Sequence, residues 1–284
     1  MVRNLGEQGG RLLVAPIFIL SPARAGSTLL RMVLGSHSTL YAPPELPLYH
    51  LSVRAETSWI KTSMTALQIS ARELDYLLWD RVFADVLSRS GKRTLVAKTP
   101  SNVLIWEQIA ECWPDARFIF LLRHPASSVA SLQAAWSNEW RPEDSGSLKE
   151  SISRALRYMN RLEEARHALS GTTVRYEDLT AEPENVVRQL CKFLGLQFEP
   201  AMLDYGEFGH GRIGAGLGDT SANLKSGRIQ AAATPPDLGE IPEGLARMCA
   251  TWGYTVPRQG SSADGSVSTS QNGLAAEQAG QASD

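Results

Sequence analysis

The segment Ser21-Pro22-Ala23-Arg24-Ala25-Gly26-Ser27-Thr28 joins an apolar run to a helical pattern, and it carries the residue types an oxyanion needs. Backbone N–H groups at a helix start, with the helix dipole behind them, favour negative charge. Gly26 lets the backbone approach a ligand closely. Ser27 and Thr28 add hydroxyl donors, and Arg24 offers a planar cation suited to bidentate contact with phosphate or sulfate. Two more cations close strand-like runs: Lys98 ends "TLVAK" and Arg123 ends "RFIFLLR". Ser131 follows Arg123 by eight residues on the next helical stretch, where a guanidinium and a hydroxyl can converge on one anion. Cations gathered at one sheet edge are costly unless an anion neutralises them, so these predict a polyanion site.

A nucleoside triphosphatase loop would read GxxxxGK[ST]. Here Pro22 stands near the first glycine position and Ser27 follows Gly26 in place of lysine. No acidic residue closes a strand in a way that suggests a Mg²⁺ site. A P-loop nucleotide kinase or NTPase is the alternative reading, and a non-catalytic nucleotide-binding module a third. The three cysteines, Cys112, Cys191 and Cys249, form no CxxC pair and suggest a reducing compartment, buried thiols and no structural zinc. No metal is expected.

The elements that must position these residues alternate. "LLVAPIFILS" reads as a buried strand and "STLLRMVLGSH" as a helix. "TLVAKTP" is a strand stopped by Pro100, with a helix through "NVLIWEQIAECW" behind it. "ARFIFLLRHP" is a strand and "ASSVASLQAAW" a helix starting behind Pro125, a favourable first position. "SLKESISRALRYMNRLEEARHAL" is a long amphipathic helix, "TTVRYEDL" a strand, and "EPENVVRQLCKFLGL" a helix closing at Gly195. Alternation of this kind predicts an α/β fold of three layers, P-loop-like, with a central parallel sheet flanked by helices. Ligands then bind beyond the carboxyl ends of the strands.

With 284 residues and 43% hydrophobic content, the chain can build one sizeable domain. A formal net charge of -2 argues against nucleic acid as a partner. The apolar run from Leu12 to Leu20 is too short to span a bilayer and contains Pro16, so a cytoplasmic location without a transmembrane segment is expected. Residues 12–257 read as the folded domain. From Arg258 the composition turns to Gly, Ser, Ala and Gln without an aromatic, as in a disordered tail or linker.

In combination the motifs resemble a known family. "SPARAGSTLL" is similar to the 5′-phosphosulfate loop of sulfotransferases that use 3′-phosphoadenosine-5′-phosphosulfate (PAPS), in the arginine version of tyrosylprotein and many bacterial members. "RFIFLLRHPASSVASL" resembles their 3′-phosphate motif, and "VRYEDL" with a helix ending "FLGL" resembles the next landmark. The resemblance implies a PAPS-dependent sulfotransferase that moves a sulfuryl group to a hydroxyl or amine, here expected to be a hydroxyl, releases 3′-phosphoadenosine-5′-phosphate (PAP) and needs no metal. It implies that Arg24, Ala25, Gly26, Ser27 and Thr28 grip the 5′-phosphosulfate, that Arg123 and Ser131 hold the 3′-phosphate, and that Tyr176 sits near the adenine. Arg24 and Lys98 are assigned to the charge that builds on the leaving oxygen.

In the tyrosylprotein branch a glutamate twenty-one residues after the loop arginine serves as base, and Glu45 in "YAPPELPLYH" has that spacing. The flanking prolines hold its segment out of helix. His50 and His210 stand behind it as candidates on the substrate side. His124 is expected to face the cofactor or solvent, His37 to be structural and His167 exposed. Lys225, Gly227 and Arg228 fit a basic segment that folds over the 3′-phosphate. The C-terminal part also looks similar to sulfotransferase domains of bacterial polyketide assembly lines. That suggests the β-hydroxyl of a carrier-bound acyl chain as acceptor, among small-molecule or lipid-like hydroxyls. The segment 51–92, with Trp59 and Trp79, and the loop 136–147 are expected to shape the acceptor pocket.

Overall fold

The computed structural model describes residues 10–139, 147–211, 221–238 and 241–256. Five strands form one parallel sheet in the order β2-β3-β1-β4-β5. They are β1 (Ile17–Leu20), β2 (Leu40–Tyr41), β3 (Thr94–Lys98), β4 (Arg117–Leu122) and β5 (Gly171–Arg175). The chain starts at the centre with β1, goes out to the edge strand β2, returns to β3 between the two, then crosses to β4 and β5 on the other side. In register, Ile19 lies beside Lys98 of β3 and Ile119 of β4.

Period-two alternation along the strands feeds two cores. Phe18, Leu20, Leu95, Ala97, Phe118, Phe120 and Leu122 face one layer. That layer holds α3 (Ala71–Ser90), α4 (Trp106–Cys112), α5 (Pro125–Glu139), α6 (Leu148–Ala168) and α10 (Glu243–Thr251). Ile17, Ile19, Val96, Ile119, Leu121 and Val174 face the other. There α1 (Ser27–Gly35), α7 (Tyr176–Ala181) and α8 (Pro183–Phe193) pack. Two helices remain, α2 (Ser58–Ala66) and the short α9 (Ala222–Lys225). Because β1 is covered on both faces, it reads as the unbroken apolar run IFIL with all four residues buried. The three-layer α/β class is the one expected from the alternation.

Some boundaries differ from the sequence reading. The run from Leu12 begins as strand only at Ile17, because Pro16 lacks an N–H and Ala15 takes a left-handed φ of 45°. The helix expected over 102–113 opens as a 3-10 turn, Pro100–Ile105, before α4. The polar tail from 258 onward lies outside the described residues. Among those described, no helix is long and apolar enough to cross a membrane.

Candidate functional site

Each strand delivers one chemistry-bearing residue at or just beyond its carboxyl end. Following the sheet order, β2 is followed by Glu45, β3 ends in Lys98, β1 leads to Arg24, β4 to Arg123 and β5 to Tyr176. The contacts run along the same row. Lys98 pairs with Glu45, and its Nζ donates to Thr28 Oγ1 at 3.2 Å. Arg24 Nε donates to Ser131 Oγ at 3.1 Å. Arg123 Nη1 donates to the Arg24 carbonyl at 2.8 Å, while its guanidinium lies 4.7 Å from the centre of the Tyr176 ring.

The loop between β1 and α1 is shaped for close approach. Arg24 has φ 64° and Gly26 φ 87°, both left-handed. At Arg24 that conformation is uncommon and costs free energy, a strain found most often at functional turns. A Cβ added at Gly26 would meet Tyr176 Cδ2 at 2.2 Å, so only glycine admits the ring there. The N-terminus of α1 has Gly26 as its cap and no side-chain hydrogen bond. By contrast α2, α3 and α6 are capped by Thr57, Ser70 and Ser147. Helix α1 therefore presents N–H donors that no capping side chain takes, beside the hydroxyls of Ser27 and Thr28.

Lys98 is almost wholly buried, with 1% of its side chain exposed against 14% for Glu45. A buried ammonium paired with a carboxylate is a poor stabiliser of a fold, because desolvation opposes the pairing. It is a good device for holding a positive charge at full strength where water is scarce.

A cleft opens beyond Tyr176, lined among others by Leu29, Tyr205, Asn223 and Arg228. Its far wall is locked in place by glycines. Gly206 and Gly227 meet backbone to backbone, such that a Cβ on Gly206 would lie 2.6 Å from the Gly227 Cα. Gly206 N donates to Gly227 O at 3.1 Å. The structure thus brings Arg228 and Gly227 to the Tyr176 side of the site. Lys225 is exposed and does not line the cleft.

The histidines separate clearly. His50 is exposed and stacks edge-on with Tyr49, 4.8 Å between centroids, apart from Glu45's contacts. His210 sits in the loop 205–211, where burial lowers its pKa below the usual imidazole value and Nε2 meets the Tyr205 carbonyl at 2.6 Å. His124 does not face solvent: it is buried, accepts from Ala126 N and bonds the Thr255 carbonyl at 3.0 Å. His37 is buried and His167 exposed, as expected.

Trp79 does not shape a pocket. It is 4% exposed, packs in the core and donates to Leu51 O, while Trp59 is 83% exposed. Most of the expected 136–147 loop falls outside the described residues.

One residue was missed by sequence reasoning. Arg31 on α1 is fully buried and reaches back to the segment that carries Glu45. The signal was available: a lone arginine inside the apolar run "STLLRMVLG".

Comparison with known proteins gives a consistent result. A family model described as "Sulfotransferase family" matches residues 16–200. Nodulation protein NoeE of Sinorhizobium fredii is 34% identical over 131 residues, 42% of this chain and 31% of its own length. A protein-tyrosine sulfotransferase of Drosophila melanogaster is 22% identical over 246 residues, 81% of this chain and 48% of its own. The chain thus spans less than half the length of these relatives. Among solved structures, the sulfotransferase domain from the curacin biosynthetic pathway superposes with TM-score 0.64 at 25% identity. That match covers 86% of this chain and 99% of the domain.

Proposed function

The chain belongs to the sulfotransferase family, and from that premise we propose that it transfers the sulfuryl group of PAPS to an acceptor hydroxyl. The observation that carries this reading is the row of residues along the sheet edge, Glu45, Lys98, Arg24, Arg123 and Tyr176. It offers a base at one end, cations in the middle and an aromatic face at the other. PAPS supplies the sulfuryl group, with a phosphoadenosine leaving group. The residues present fit it: a helix start free of side-chain caps, a glycine under an aromatic ring, and a buried cation.

In this reading Arg24 and the loop through Thr28 hold the 5′-phosphosulfate. Arg123 and Ser131 hold the 3′-phosphate, Tyr176 lies against the adenine, and Gly227 and Arg228 close over it. Lys225 belongs to the same basic segment, although its exposed side chain gives it the weakest support. Glu45 takes the proton of the attacking hydroxyl. Lys98 and Arg24 stabilise negative charge on the oxygen that leaves, in a site too dry for water to do so. A single arginine fork on the loop replaces the lysine of an NTPase, and nothing in this division of labour calls for a metal.

The reading of the acceptor class draws on a neighbour that matches over nearly its whole length. A sulfotransferase domain from the curacin biosynthetic pathway, taken with the likeness of the C-terminal part to assembly-line domains, supports the β-hydroxyl of a carrier-bound acyl chain. The test is conversion of PAPS to PAP in the presence of a β-hydroxyacyl carrier protein, a free β-hydroxyacyl thioester, and a tyrosine peptide. Turnover with the carrier-bound substrate alone is expected. Turnover with the peptide alone would move the acceptor to the tyrosylprotein class.

A further inference from the structure

Arg31 is expensive where it stands. The side chain is fully buried on a helix whose residues from Ser27 to Leu34 are all buried. Its Nε and Nη2 have no hydrogen-bond partner among the described residues. Burial pushes its pKa down, and the charges of Glu45 and Tyr41 oppose that shift. Leaving guanidinium N–H groups unmet in an apolar layer costs stability, and an aliphatic residue of similar volume would avoid that cost.

What Arg31 does contact is informative. Nη1 alone reaches three carbonyls: Ala42 O at 2.8 Å, Pro43 O at 3.3 Å and His210 O at 3.3 Å. The first two lie just before Glu45 in a segment whose prolines deny it helix or sheet bonds of its own. The third lies in the loop 205–211. The two segments also touch directly: a Cβ on Gly211 would stand 3.1 Å from Pro44 Cγ. At Gly35 of α1 it would meet Ala42 Cβ at 3.0 Å and His210 Nδ1 at 3.5 Å.

We propose that Arg31 is a positioning residue that sets the Glu45 carboxylate by holding the Ala42 and Pro43 carbonyls, and that it ties the 205–211 loop to that base. This rests on Glu45 being the base. A carboxylate displaced by about 1 Å from its proton donor can lose on the order of 100-fold in rate. The hydrogen bonds of the Arg31 side chain go to Ala42, Pro43 and His210, none of them assigned to the cofactor, so truncating the side chain is expected to act on turnover and leave nucleotide binding alone.

The experiment is a double-mutant cycle with Arg31→Met and Glu45→Gln, following kcat, the KM for PAPS and the PAP-induced thermal shift. Arg31→Met is expected to lower kcat about 100-fold with KM and thermal shift unchanged, and to cost nothing further in the Glu45→Gln background. Arg31→Lys, which keeps a cationic donor but not the guanidinium fork, is expected to recover part of kcat and to stay measurably below wild type. An Arg31→Met enzyme with wild-type kcat, an equal loss in the Glu45→Gln background, or a parallel loss of PAP binding would each overturn the proposal. Should Arg31→Met fail to fold, Arg31→Lys enters the cycle in its place. Any deficit it has must then vanish in the Glu45→Gln background, and full wild-type kcat for Arg31→Lys would mark a purely structural role. If Glu45→Gln alone keeps wild-type kcat, it is the base assignment that fails.

Discussion

Lys98 has lost nearly all contact with water, and Glu45 is the carboxylate that pairs with it. The pair fixes the direction of the carboxylate toward the end of β3 and the start of α1, where Thr28 shares the ammonium. If Glu45 is the base, Glu45→Gln keeps the shape and removes proton acceptance. Its kcat is expected to fall by about 10²–10⁴, the usual contribution of general base catalysis. The PAP thermal shift should persist, which separates this loss from a damaged cofactor site. At this scale the sequence marked Arg24 and Glu45 by residue type and spacing, and the structure sets Glu45 against Lys98. The sequence offered Arg31 only as a lone arginine in an apolar run and said nothing of its role, because the value of a buried arginine depends on carbonyls 11, 12 and 179 residues away. The burial of His124 went unread for a related reason. Adjacency to Arg123 in the chain says nothing about the Thr255 carbonyl that claims its ring.

The turn from β1 into α1 is where an element and a site are the same object. Gly26 caps the helix, holds φ 87° and leaves room for the Tyr176 ring. In Gly26→Ala the left-handed backbone alone costs about 1–2 kcal/mol, and the Cβ must push the ring aside. Thermal denaturation is expected to show that loss, and the PAP-induced shift should shrink because Tyr176 moves with it. Wild-type PAP binding in this variant would show that the Tyr176 ring is not held by Gly26 for the cofactor. Helices α1, α4, α5, α6 and α8 and strands β1, β3, β4 and β5 were legible from periodicity and punctuation, whereas α2, α3, α9 and α10 were not read, and the run taken as strand through "YEDL" turns helical at Tyr176. Strand β2, two residues long, was not legible, since a pair of residues carries no period and is strand only because β3 lies beside it.

For the molecule as a whole, the parallel sheet could be inferred from alternation, whereas the order β2-β3-β1-β4-β5 could not. That order is set by pairings between distant segments, yet it is what places the five residues in one row. The two helical layers also enclose all three cysteines. Burial pushes the Cys112 thiol up to about 12 and the Cys249 thiol to about 11. A thiol reagent at pH 8 is therefore expected to label none of the three in the native protein and all of them in denaturant. Rapid native labelling would mean that the layers open readily. The central claim, that the row along the sheet edge is a site for a 3′-phosphorylated adenosine nucleotide, is tested most directly by thermal shift. PAP is compared with ADP plus Mg²⁺ at matched concentrations, in the wild-type protein and in Arg123→Ala. At 100 times its dissociation constant PAP should stabilise the wild type by about 2.7 kcal/mol. The account predicts a shift with PAP that Arg123→Ala largely loses, and little with ADP and Mg²⁺. Equal or greater stabilisation by ADP with Mg²⁺, insensitive to Arg123, would contradict it and return the kinase reading.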